Sequence, residues 1–120
     1  MSERPCDPEE LASAESRLGV RLPVALCLLY ADGNGRFDER GQWWVVWPID
    51  RLVESNETYW REGWLDRSFV GFGDDGTGDP FCLRVDGSSD AISRWSMIER
   101  EPFAQYESMA AFVGEWLTLR

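Results

Sequence analysis

Apolar positions recur along this chain at two spacings, one helical and one alternating, and the change from one to the other divides it into elements. Leu11, Ala14 (or Glu15) and Leu18 fall at helical spacing behind Asp7-Pro8-Glu9-Glu10. That tetrapeptide offers an N-cap, a proline at the first helical position and a glutamate to close a capping box, and Gly19 supplies the stop. Arg21-Leu22-Pro23 predicts a short extended break, since the residue before a proline avoids the α region. A second helix is predicted over 24–31, opened by Pro23, with Leu26, Leu29 and Tyr30 inward and Asp32-Gly33-Asn34-Gly35 turning the chain. Near the other end, Ser108 is placed to cap a helix in which Met109, Phe112, Val113, Trp116 and Leu117 follow i, i+3, i+4, i+7, i+8. That spacing draws one wide apolar stripe.

Alternation marks the strands. Residues 42–47, QWWVVW, put Trp43, Val45 and Trp47 on one face and Trp44 and Val46 on the other. Both faces are apolar, so this strand is either covered twice or leaves one face for a partner. Pro48 starts a helical stretch over 49–56 with Ile49, Leu52 and Val53 at helical spacing. Residues 57–67 show no firm periodicity, and their Tyr59, Trp60 and Trp64 must either fold back on the core or anchor a partner. Residues 69–73 and 81–85 form a hairpin closed by 74–80. After a turn at 86–89, residues 91–98 make a third long strand, with Ile92, Arg94, Ser96 and Ile98 opposed to Ser93, Trp95 and Met97. The predicted order is α-α-β-α-β-β-β-α. Strands joined by short turns imply an antiparallel sheet packed on helices, an α+β class, with 1–120 as a single domain.

Composition narrows the chemistry. The 120 residues contain no histidine, and all 12 basic residues are arginine. Ser-His-Asp and Cys-His nucleophile pairs, histidine metal sites, lysine Schiff bases and the phosphate-cradling lysine of a P-loop are therefore excluded. Cys6, Cys27 and Cys82 form no C-x-x-C pair, so no zinc knuckle or thioredoxin-like motif is available. Cys27 and Cys82 lie among apolar neighbours as small core residues, and Cys6 sits in a tail expected to be mobile. The formal net charge of −10 disfavours nucleic acid and anionic membrane and favours a basic protein partner, or serves only solubility. No apolar run is long enough for a membrane span. The opening MSERPCDPEE is acidic and polar, unlike a secretory signal peptide, so a cytoplasmic location is expected.

The loop 74–80, DDGTGDP, is first turn chemistry: glycine reaches positive φ freely and aspartate caps its own backbone. Asp74, Asp75 and Asp79 could also face a partner or a hard cation. The run does not fit D-x-[DN]-x-[DN]-G-x₅-E, however, and Gly78 and Pro80 bring no side-chain ligand. No metal, cofactor or catalytic residue is assigned.

Several joints resemble those of the SUKH superfamily (Smi/Knr-like) in the same order. Leu18-Gly19-Val20-Arg21-Leu22-Pro23 is similar to its "LG-x-x-LP" step. Leu28-Leu29-Tyr30 with Asn34-Gly35 resembles its second helix and "NG" exit, and Trp47-Pro48-Ile49 with Leu52 and Asn56 its strand–helix step. Residues 69–83 resemble its "fi-x-fg-x-x-g-x-gd-x-f-x-l" hairpin, followed by Ile92-Ser93-Arg94-Trp95 and the final Phe112-Val113-Glu115-Trp116-Leu117. Members often carry an acidic or histidine-containing segment after the tryptophan strand, whereas Ser96-Met97-Ile98 is neutral. The superfamily includes a fungal regulator of cell-wall synthesis and many bacterial immunity proteins that neutralise toxins. The resemblance implies an α+β, non-catalytic binding module, but its contact residues are too variable to carry over.

Three functions follow in order of support. The first is an immunity protein blocking a basic toxin domain such as a nuclease, with Asp74, Asp75 and Asp79 as charged contacts and Tyr59, Trp60 and Trp64 as aromatic anchors. The second is an intracellular adaptor using the same surface on a host protein. The third, with least support, is a carboxylate enzyme dependent on a metal.

Overall fold

Asp7 begins the first helix as its side chain dictates. Its carboxylate accepts from Glu10 N at 2.9 Å, and the Glu10 carboxylate accepts from Asp7 N at 3.1 Å. The computed structural model describes residues 4–37 and 41–117, which leaves the first three residues of the acidic opening segment outside. The order is α1 (Pro8–Leu18), α2 (Val24–Asp32), β1 (Arg36–Phe37), β2 (Trp44–Val46), α3 (Ile49–Glu62), β3 (Phe69–Asp74), β4 (Pro80–Arg84), β5 (Ile92–Ser96), β6 (Glu101–Tyr106) and α4 (Met109–Trp116). The class is α+β, as the alternation predicted.

Strands β3-β4-β5-β6 form an antiparallel meander in chain order, and β1 pairs antiparallel with β2. The short sheet is stitched to the long one where Trp47 N donates to Phe72 O at 2.8 Å, beside an irregularity in β3. This approach is so close that a Cβ on Gly73 would stand 1.7 Å from Val45 O, so only glycine fits there. Val45 and Val46 are both buried, which resolves the two-faced strand: it is covered on each side.

One end of the core is aromatic. Phe112 of α4 meets Phe72 and Phe81 edge-on, with ring centroids 5.3 and 4.8 Å apart. Elsewhere Tyr30 Oη donates to Trp47 O at 2.5 Å, and Asn34 Oδ1 accepts from Ile49 N at 2.7 Å. The exit of α2 is thereby pinned to the start of α3.

Four sequence expectations need correction. The predicted order lacked β1, a two-residue strand, and β6, whose EPFAQY sequence has no alternation and a proline. The helix predicted to end at Asn56 runs to Glu62, because Asn56 occupies a core position that an apolar pattern does not register. The strands predicted over 42–47 and 91–98 shrink to Trp44–Val46 and Ile92–Ser96, and Ile98 lies in a turn. Finally, Cys6 is only 6% exposed, its N–H donating to Tyr30 O, so it is a core residue.

Asn56 and Trp60, one helical turn apart, line α3 against the free edge of β3. Asn56 Oδ1 accepts from Gly71 N at 2.8 Å, and its Nδ2 donates to Gly71 O at 2.7 Å and Leu52 O at 2.8 Å. Trp60 Nε1 donates to Phe69 O at 2.9 Å. A strand edge left bare would invite another chain, and these two side chains close it. The opposite edge, β6, carries exposed Glu101 and Pro102, both poor templates for further pairing.

Candidate partner-binding surface

The hairpin loop between β3 and β4 is held by its own aspartates. Asp74 Oδ1 accepts from Gly76 N at 2.5 Å. Asp75 Oδ1 accepts from Thr77 N at 2.9 Å and from Thr77 Oγ1 at 2.5 Å. These are consecutive Asx turns, and Gly76 at φ 93° takes the left-handed conformation between them. Gly76 also lies on the Trp43 ring, where a Cβ would come within 3.1 Å, while Trp43 Nε1 donates to Asp74 O at 2.9 Å.

Two longer contacts fasten the loop to the rest of the sheet. Asp75 Oδ2 accepts from Arg94 Nη1 at 3.1 Å, with the Asp75 side chain only 4% exposed. The same guanidinium lies over Phe103, 5.2 Å from its centroid, and over Trp116 at 6.0 Å. Asp79 Oδ1 accepts from Met97 N at 3.1 Å, which joins the hairpin loop to the turn between β5 and β6. That turn is itself braced: Ser96 Oγ accepts from Glu99 N at 3.0 Å, and Arg100 N donates to Ser96 O at 2.7 Å. Arg100 sits at φ 60°, an uncommon conformation for a residue with a side chain. At the tip Ile98 is 92% exposed, followed by exposed Glu99, Arg100 and Glu101.

The aromatic residues divide. Trp60 is buried and carries Arg67 over its ring at 5.8 Å. Tyr59 is half-buried and contacts Trp47 and Trp64, each at a centroid distance of 6.1 Å. The Tyr59–Trp64 contact belongs to the end of α3. Gly63, at φ 75°, donates to Trp60 O, and Trp64 N donates to Tyr59 O at 2.8 Å, a Schellman motif with its usual apolar contact. Trp64 O in turn accepts from Trp95 Nε1 at 2.8 Å. Most of this aromatic surface is committed to closing the core, and the edge of Trp64 remains open at 37% exposure.

Electrostatics tie Tyr59 to the loop. Burial is the main reason its phenol titrates above the ordinary range, and the negative charge of Asp74 adds to it. The Asp74 carboxyl is likewise raised, first by burial and then by neighbouring Asp75, against the lowering bonds from Gly76 and Gly78. Of the six residues singled out in the sequence, Asp74, Tyr59 and Trp64 are therefore gathered. Asp75 and Asp79 turn toward β5 and its turn, and Trp60 turns to the core. Ile98 escaped the sequence reading because alternation had assigned it to a strand face.

Among the described residues, no group of three or more histidine, cysteine, aspartate or glutamate side chains is placed to hold a metal ion. An open groove of about 260 Å³ between the starts of α1 and α3 is lined by Asp7, Glu9, Glu10 and Asp50. Carboxylates there oppose the positive ends of two helices, which accounts for them without a ligand.

The profile of the SMI1 / KNR4 family (SUKH-1) matches residues 5–118, nearly the whole chain. The chain belongs to that family. No curated protein matches it. SUKH-1 membership agrees with the resemblance read from the joints, and the structure gives those joints physical roles. The glycine of the "LG" step is the left-handed C-cap of α1, at φ 75°. The asparagine of the "NG" exit caps Ile49 N, and Asn56 holds β3. SUKH-1 proteins are generally non-enzymatic modules that act through protein partners. No helix among the described residues is long and apolar enough to cross a membrane.

Proposed function

We propose that this chain is a cytoplasmic immunity protein that neutralises a cognate toxin by covering a basic surface of it, without catalysis. The observation that carries this reading is the pair of mutually braced loops at one end of the sheet. There Asp79 of the hairpin loop is bonded to the turn that carries the exposed side chain of Ile98, and exposed Glu99 and Glu101 follow it in the chain. A rigid apolar tip in an acidic field suits a partner that presents an apolar pocket within a positive surface, as an enzyme acting on nucleic acid does. Such charge complementarity steers encounter and rejects wrong partners. A tip already ordered before binding avoids part of the entropy cost of association. Asp75 supports the loop through its pair with Arg94, and in this reading Tyr59 and the open edge of Trp64 add aromatic contact area beside Asp74.

The test begins with the gene adjoining the one that encodes this chain. Expression of its product alone should arrest growth, and co-expression of the chain should restore it. The triple variant Asp79→Asn, Glu99→Gln, Glu101→Gln keeps the hydrogen-bonding shape of these groups and should associate more slowly at low salt, with folding unchanged. Failure of the intact chain to rescue growth would refute the reading.

A further inference from the structure

Helix α2 is apolar all round. Its sequence VALCLLYAD has one charged residue, Asp32, at its last position. Leu26 and Tyr30 are completely buried on the inner side, yet on the outer side Val24 is 74% and Leu28 66% exposed, and Ala31 is exposed beside them. Val24, Leu28 and Ala31 follow i, i+4, i+7, a single ridge facing outward. A helix apolar on every face is ordinarily buried on every face.

Charge decides what covers this ridge. With a net charge of −10, two copies of this chain repel over most of their surface. Residues 22–31 carry no charge, so that repulsion is least there. Exposed Arg21 lies before the ridge, and Asp32, its side chain 78% exposed and 3.7 Å from Arg36 of the same chain, ends it. We propose that α2 is a self-docking surface on which a second copy of this chain packs antiparallel about a two-fold axis. In that arrangement Val24 of each copy faces Leu28 of the other, and Ala31 lets the backbones approach. Arg21 of each copy comes opposite Asp32 of its mate, so two favourable pairs flank one apolar seam. The symmetry is of the isologous kind, in which one patch serves both sides.

Sedimentation velocity of the full chain over a concentration series into the high micromolar range tests this. The wild type should pass from monomer to dimer. Leu28→Glu should weaken self-association more than about tenfold, because it buries a carboxylate against Val24 of the mate and brings two like charges close to the axis. Its melting temperature should stay unchanged, since Leu28 lies outside the core. Arg21→Glu alone should weaken the dimer, and the double variant Arg21→Glu, Asp32→Arg should restore it, which a general loss of apolar surface would not do. A wild type that stays monomeric throughout, a Leu28→Glu variant that dimerises as well as the parent, or a charge swap without restoration would each overturn the proposal.

Discussion

Asn56 is wholly buried, and both ends of its amide are bonded to the backbone of Gly71. The Asn56→Ala variant would leave one buried N–H and one buried C=O of β3 without partners and open a small cavity. We predict a loss of about 3 kcal/mol in urea unfolding, since each unsatisfied buried group costs roughly 1–3 kcal/mol. Asp74 offers a test of opposite sign. Its folded-state titration is raised by burial, so its contribution is complete below the ordinary 3.8 and is lost as pH rises through the raised folded value. Asp74→Asn keeps the acceptor for Gly76 N but cannot ionise. Its melting temperature should therefore gain on the wild type as pH goes from acid to neutral, and a difference independent of pH would show that Asp74 is not desolvated.

Among the elements, those fixed by local signals were legible. The capping box of α1, the wide stripe of α4 and the hairpin each depend on residues close in sequence. The second half of α3 was hidden for a specific reason. Ile49, Leu52, Val53, Asn56 and Trp60 are all buried at helical spacing, but the polar fourth member breaks the apolar pattern. Its burial depends on Gly71, which lies 15 residues away. The strand β6 was hidden because an edge strand carries residues that discourage pairing. The hairpin loop, visible as a motif, kept its main function concealed: Asp75 and Asp79 find Arg94 and Met97 only once β5 is alongside. At this scale the Asp75–Arg94 pair predicts an asymmetry. Arg94→Met strands a carboxylate that is 4% exposed and should cost about 2 kcal/mol or more in chemical unfolding. Asp75→Asn keeps one oxygen to accept from Thr77 and loses the acceptor for Arg94, but the charge it leaves unpaired is 29% exposed, so it should cost less. Equal losses would mean that the pair contributes nothing to ordering the loop.

For the whole molecule, one edge of the main sheet is sealed by α3, the other is blunted by Glu101 and Pro102, and the loops at one end are locked to each other. These loops carry Asp79, Glu99 and Glu101, the groups that the proposed function sets against a positively charged surface. The acidic balance was readable from composition, and so was the absence of histidine and lysine. The location of the exposed tip was not, because Ile98 becomes a turn residue only after Ser96 Oγ and Asp79 terminate β5. A binder and an enzyme differ in one number, the amount of this chain needed to silence its target. Under the proposed immunity function, titrating the activity of the neighbouring gene's product with purified chain measures that number directly. The account predicts a linear fall to full inhibition at one equivalent per toxin, recovered when the complex is dissociated. Complete and irreversible silencing by a small fraction of an equivalent would contradict it.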